Sequence, residues 1–215
     1  MTRTAAATLP INETETKLFD AALTLFSQKG YEAASVREII EAVGMTRPVL
    51  YYYCDSKEDL FKRLIHLKHD QAYRELKSLI RNTQGCEQQL KAIIRGSFEF
   101  CAADVRVPRL MFQTAYGPQI PGITQFMDKL AHARFKIVMQ VINDGLDSGE
   151  LRGGQPASLA LIFCCIMDQH INVFSRMPDP QNYLTKKLAD ELVASFLHGL
   201  GAGRRGLVAL PASPA

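Results

Sequence analysis

Apolar residues in this chain recur at spacings of three and four almost from end to end, and no stretch alternates convincingly with period two. That periodicity specifies amphipathic helices and leaves no material for a sheet, so an all-α protein is expected. With 215 residues, 47% of them hydrophobic, the chain can build a small helical domain followed by a larger one, each with its own core. The longest unbroken apolar run, Leu159 to Met167, falls short of the ~18 residues a membrane span requires. The opening residues also lack the apolar segment of a secretory signal, and a cytoplasmic protein with no membrane association is expected.

Punctuation by capping residues, glycine and proline divides the chain. Residues 1–12 are polar and unpatterned and read as a disordered arm. A first helix is expected from Glu13 to Gln28, with Leu18, Ala21, Ala22, Leu25 and Phe26 on one face and Lys29-Gly30 as its stop. Ser35-Val36-Arg37-Glu38 has the capping-box pattern, so a second helix begins there, burying Val36, Ile39, Ile40 and Val43. Gly44 lacks the Cβ that would oppose a left-handed turn, and a short third helix must follow at once, with Thr46 as its cap and Pro48 in its first turn. A fourth helix opens at Ser56 and runs to about Arg81. Further helices are expected at Glu87 to Ala103, Arg109 to Ala115, Ile123 to Ser148, Pro156 to Arg176 and Gln181 to Leu200. Residues 201–215, rich in Gly, Ala and Pro, read as a disordered tail. The domains expected are thus residues 13–60 and residues 61–200.

Two helices joined by a short glycine-containing turn, the second one brief, make the layout of a helix-turn-helix. Composition sharpens that layout. In Thr46-Arg47-Pro48-Val49-Leu50-Tyr51-Tyr52-Tyr53 only Leu50 is plainly apolar core, with Tyr51 beside it expected to bury its ring. Arg47 can fork onto the guanine O6 and N7 acceptors, while Pro48 and Val49 can meet thymine methyl groups. Tyr52, Tyr53 and Lys57 can donate to phosphate oxygens and so fix the register. Bulk charge adds nothing to this reading: the net +3 is not concentrated here, since residues 1–65 hold eight Lys or Arg against nine Asp or Glu.

Several spaced motifs, in order, resemble the TetR family of transcriptional regulators: Ala22 to Phe26, Gly30-Tyr31, Ser35 to Ile39, Gly44-Met45-Thr46, Leu50 to Tyr53 and Ser56 to Leu60. The resemblance covers Leu18 to Leu60, about a fifth of the chain. It implies a double-stranded DNA operator read by Ser35, Arg37, Arg47, Pro48, Val49, Tyr52, Tyr53 and Lys57, and Thr46 at the start of the third helix joins that set. A homodimer and a small-molecule effector are also implied, most simply as a repressor released by its ligand.

In the larger domain, Phe98, Cys101, Met111, Phe112, Tyr116, Phe126, Phe135 and Met139 form an apolar set where the resemblance places a ligand pocket, with His132 and His170 as polar candidates for its wall. Leu159, Phe163, Met167 and Phe174 on one helix, and Leu184, Leu188, Leu192 and Phe196 on the next, can pack against a second copy as a four-helix bundle. The five cysteines, Cys54, Cys86, Cys101, Cys164 and Cys165, lack metal-ligand spacing and read as reduced thiols. His66 and His69 have no third ligand in view, so no metal or cofactor is expected. A small helical enzyme is the rival reading, but no HExxH, phosphate loop, nucleophile elbow or paired-carboxylate signature occurs. A helical interaction module without DNA binding is the other alternative.

Overall fold

In a computed structural model that describes residues 13–199, every regular element is helical. In chain order these are α1 (Glu13–Ala33), α2 (Val36–Ala42), α3 (Arg47–Tyr53), α4 (Lys57–Arg81), α5 (Cys86–Ala103), α6 (Arg106–Tyr116), α7 (Ile123–Asp147), α8 (Pro156–Phe174), a 3-10 turn (Pro180–Asn182) and α9 (Lys186–His198). The expected arm and tail lie outside the described residues.

Two compact units emerge. One comprises the chain through Lys68 together with Arg109–Met127, and the other comprises His69–Pro108 and the chain from Asp128 onward. The first unit is larger than the expected 13–60 module, and the reason is visible in its core. Leu60, Phe61, Leu64 and Ile65 of α4 are all buried, so two turns beyond residue 60 are needed to cover α1. At the centre, Phe61 meets Phe26 edge-on at 5.4 Å and Tyr31 at 5.2 Å. Gly30 (φ 82°, ψ 165°) breaks α1 where the Lys29-Gly30 stop predicts, a conformation that strains any side chain bearing a Cβ.

The second unit packs α5 against α8 and α9. Leu90, Ile93, Ile94 and Phe98 of α5 bury with Phe163, Met167 and Ile171 of α8 and with Ala189 and Val193 of α9. The Arg95 guanidinium donates twice to the Asp190 carboxylate, at 2.8 and 2.5 Å, tying α5 to α9.

Two of the boundaries that differ from the periodicity reading have a visible local cause. α6 begins at Arg106 because Asp104 Oδ1 accepts from the Arg106 amide at 3.2 Å and Pro108 falls within the first turn, where a missing N–H costs nothing. The segment expected as one helix from Gln181 is divided, since Asp179 is left-handed (φ 49°), a 3-10 turn follows, and Thr185 Oγ1 caps α9 by accepting from the Leu188 amide at 3.1 Å. α8, at 19 residues with a mean hydropathy of 1.5, is by length and composition long and apolar enough to cross a membrane. It nonetheless buries one side in the second unit while Leu161, Ile162 and Val173 remain exposed.

Candidate nucleic-acid interface

The capping box that opens α2 is complete. Ser35 Oγ accepts from the Glu38 amide at 3.2 Å, and Glu38 Oε2 accepts from the Ser35 amide at 3.0 Å. Lys29 Nζ donates to the other carboxylate oxygen at 2.5 Å. The Lys29 hydrogen bond, followed by those from Ser35, holds the Glu38 carboxyl at about 2, well below its usual 4.5. A group with a depressed folded pKa stabilises the fold fully above its unfolded value and loses that contribution as pH falls through the folded one. The melting-temperature gap between wild type and Glu38→Gln is therefore expected to stay constant from neutral pH to about 4.5 and to close as pH approaches about 2. A gap independent of pH throughout would remove the ionised cap.

α2 ends in a turn closed by Met45 N donating to Ile40 O at 2.9 Å, with Gly44 at φ 66°. α3 starts immediately. Thr46 occupies its N-cap position, but the hydroxyl makes no capping hydrogen bond, contrary to the expected cap, and Pro48 sits in the first turn. Leu50 is the one residue of α3 buried in the core. Around it the helix turns Arg47, Pro48, Val49, Tyr51 and Tyr52 outward, the last 82% exposed. No hydrogen bond or ion pair ties the Arg47 guanidinium to another described residue.

The candidates Thr46, Arg47, Pro48, Val49 and Tyr52 at α3 are all exposed, as are Ser35 and Arg37 at the start of α2. Arg37 Nε is held at 2.7 Å by Glu41 one turn on, an exposed pair that a phosphate can displace at little cost. Tyr53 is half-buried, its ring edge-on to Tyr52 at 5.2 Å. Lys57 is more engaged than its sequence position suggests. Its ammonium donates to Glu32 O at 3.0 Å and lies 4.5 Å from the Tyr31 ring centre, bracing α4 against the α1–α2 connection.

Tyr51 is a correction. Expected in the core, it is 49% exposed beside Tyr52. The 100° step per residue carries Tyr51 off the buried stripe that Leu50 occupies, so helical phase, rather than proximity to Leu50, was the signal to read. Cys54 is buried as expected, and burial pushes its thiol up to about 11.

The expected ligand set divides between the units. Met111, Phe112, Tyr116 and Phe126 belong to the first, where Tyr116 is 68% exposed and stacked on Phe112 at 6.0 Å. Phe98, Cys101, His132, Phe135, Met139 and His170 belong to the second. Phe98 is buried, His132 is exposed, and His170 Nδ1 lies 2.7 Å from Ile166 O on its own helix. A cleft of about 490 Å³ in the second unit, bounded by Glu87, Glu150, Arg152, Leu159, Phe196 and His198, contains none of them.

Five of the eight side chains assigned to a partner contact, Phe163, Met167, Phe174, Leu184 and Leu192, are buried within their own chain, and Phe196 packs edge-on against Phe163 at 5.4 Å. Leu159 and Leu188 are half-buried, the former on the wall of the cleft. α8 carries apolar residues on every side, so heptad-like spacing found them without distinguishing the side that faces α5 from the side that faces outward.

An all-helical chain that presents a seven-residue helix by its polar and aromatic face, immediately after a capped helix and a glycine turn, has the architecture of a helix-turn-helix DNA-binding protein. Residues 18–64 match the family described as bacterial regulatory proteins, tetR family. The HTH-type transcriptional activator FasR of Mycolicibacterium smegmatis is 32% identical over 50% of this chain and 49% of its own, so the match spans about half that protein's length. IcaR of Staphylococcus epidermidis, a negative transcriptional regulator of a biofilm operon, is 37% identical over 23% of this chain and 26% of its own. The structure of the regulator FadR from Bacillus subtilis in complex with stearoyl-CoA shares the fold, with a TM-score of 0.77 at 19% identity over 86% of this chain and 99% of that one. Over residues 18–64 the chain is thus similar to the bacterial regulatory proteins of the tetR family, and over most of its length it shares the fold of solved regulators.

Proposed function

We propose that this protein is a ligand-responsive repressor that binds a palindromic operator as a homodimer and releases it when a small molecule occupies the second unit, acting in the cytoplasm. The observation that carries the reading is α3, which anchors itself through Leu50 alone and offers Arg47, Pro48, Val49, Tyr51 and Tyr52 to a groove. Arg47, Pro48 and Val49 read base edges, while Ser35, Arg37, Tyr52, Tyr53 and the remaining N–H groups of Lys57 hold phosphates.

The exposed apolar residues Leu161, Ile162 and Val173 on α8 support the dimer, because apolar surface left on a helix gains stability when a second copy covers it. Two modules related by a twofold axis read half-sites about one helical turn apart. α4, α6 and α7 each contribute residues to both units, so an effector with higher affinity for one arrangement of the second unit can shift the first through continuous helices. IcaR supports repression. FasR, named an activator, supports the opposite sign with the same DNA-binding mechanism.

Selection from random duplex DNA with the purified protein tests the reading. Recovery of an inverted repeat, bound with an affinity that falls steeply with salt, is the expected result. Recovery of unrelated sequences would sink it. Reporter expression from a promoter carrying the recovered site then fixes the sign of regulation.

A further inference from the structure

Among the polar atoms of the second unit that are shut off from solvent and bonded by no described residue are three on α7 and α8: Arg134 Nε, Asp168 Oδ1 and Asn172 Oδ1. Asp168 and Asn172 are one helical turn apart and so share a face of α8. Arg134 Nη2 donates to Asp168 Oδ2 at 2.5 Å, which fixes the pair while leaving one donor and one acceptor of it unused. Burial pushes the thiol of Cys101 on α5 to about 12 and that of Cys164, one turn before Asp168, to about 11, although the Arg134 charge opposes both shifts. The ion pair still keeps 29% and 21% of its side-chain exposure, so solvent reaches its outer edge.

Buried polar atoms nearly always have partners, and leaving one without is costly. Three such atoms on two facing side-chain groups, beside an ion pair, are a site built for something absent from the chain itself. Its charge is already balanced. A carboxylate or an ammonium brought to it would be a third buried charge with no counter-ion, which desolvation penalises heavily. An uncharged group that both donates and accepts meets no such penalty. The count of unused atoms, one donor and two acceptors, is the complement of a primary carboxamide, whose oxygen can accept from Arg134 Nε while its two N–H groups donate to Asp168 and Asn172. A hydroxyl satisfies two of the three.

We propose that Arg134, Asp168 and Asn172 form the polar anchor of the effector site, and that the anchor takes the carboxamide or hydroxyl group of an uncharged, otherwise apolar molecule. This rests on the ligand-responsive reading above and adds the chemical class of the ligand.

The test uses the full chain with decanamide, 1-decanol and decanoate as probes, read by calorimetric titration and thermal unfolding. Decanamide is expected to bind tightest and decanoate at least about tenfold more weakly, the worth of one hydrogen bond to a charged group or more. Asn172→Leu keeps the volume and removes the unpartnered amide. It is expected to raise the ligand-free melting temperature by a few degrees while weakening decanamide about tenfold. Asn172→Ala is expected to weaken decanamide equally, which covers the case in which leucine overfills the site. A ligand-free melting temperature that falls in Asn172→Leu would show the amide already satisfied, by ordered water for instance, and would overturn the proposal. So would tightest binding of decanoate, or no binding that depends on Asn172. Operator binding measured on the same preparation separates the two readings: selective DNA binding without probe discrimination defeats the anchor alone, and absence of selective DNA binding defeats the regulator.

Discussion

Phe61→Ala is expected to lower the unfolding free energy of the first unit by about 3–5 kcal/mol, the range for deleting a fully buried aromatic ring. Phe61 has no exposed surface and is the ring that both Phe26 and Tyr31 meet edge-on. Its removal takes away the transfer free energy of the ring and leaves a cavity that three helical segments cannot all close around. Against a total stability of roughly 5–15 kcal/mol for a domain, that is enough to populate unfolded molecules at moderate urea. The chain has no tryptophan, so far-UV circular dichroism is the suitable readout. Phe61→Leu should recover much of the loss. A second consequence follows from Tyr31, whose opposite partner is the Lys57 ammonium. Loosening Tyr31 removes the brace that sets the start of α4 beside α3, so DNA affinity should fall even under conditions where the variant remains folded. A loss below about 1 kcal/mol would mean that the aromatic cluster is not the centre of this core.

Arg47→Ala should leave stability almost unchanged, because the side chain is exposed and makes no described contact. Its effect is expected on DNA. Losing a bidentate guanidinium–guanine contact costs about 1–3 kcal/mol in each half-site, roughly tenfold to a hundredfold in affinity, and flattens the preference at one base position. A phosphate-contacting cation behaves differently, weakening all sequences alike and reducing the salt dependence by about one ion. Comparing affinity across salt for the recovered site and for a variant of it at the affected base separates the roles. Unchanged discrimination in Arg47→Ala would remove that residue from base readout.

Much of the first unit was legible in the sequence because its devices are local. Ser35 and Glu38 are three residues apart and satisfy each other, Gly44 carries its turn in its own backbone, and the exposed composition of α3 does not depend on distant packing. The second unit is governed by long-range choices. α8 has apolar residues on all sides, and only the observed positions of α5 and α9 determine that Phe163 and Met167 face inward while Leu161 and Ile162 face out. Tyr51 shows the same limitation at short range, since adjacency to Leu50 suggested burial and helical phase dictated exposure. The Arg134–Asp168–Asn172 cluster left no sequence signal: an arginine on one helix and an acid on another, 34 residues apart, become partners only when α7 and α8 pair.

The anchoring of α3 through Leu50 alone has an evolutionary consequence. Residues exposed on this helix carry almost no responsibility for holding the protein together, so they can be exchanged one at a time without the fold resisting. Under the proposed regulator reading, descendants of such a chain can drift toward new operators while keeping their effector chemistry intact, and a duplicated copy can acquire its own set of promoters by changing a handful of codons.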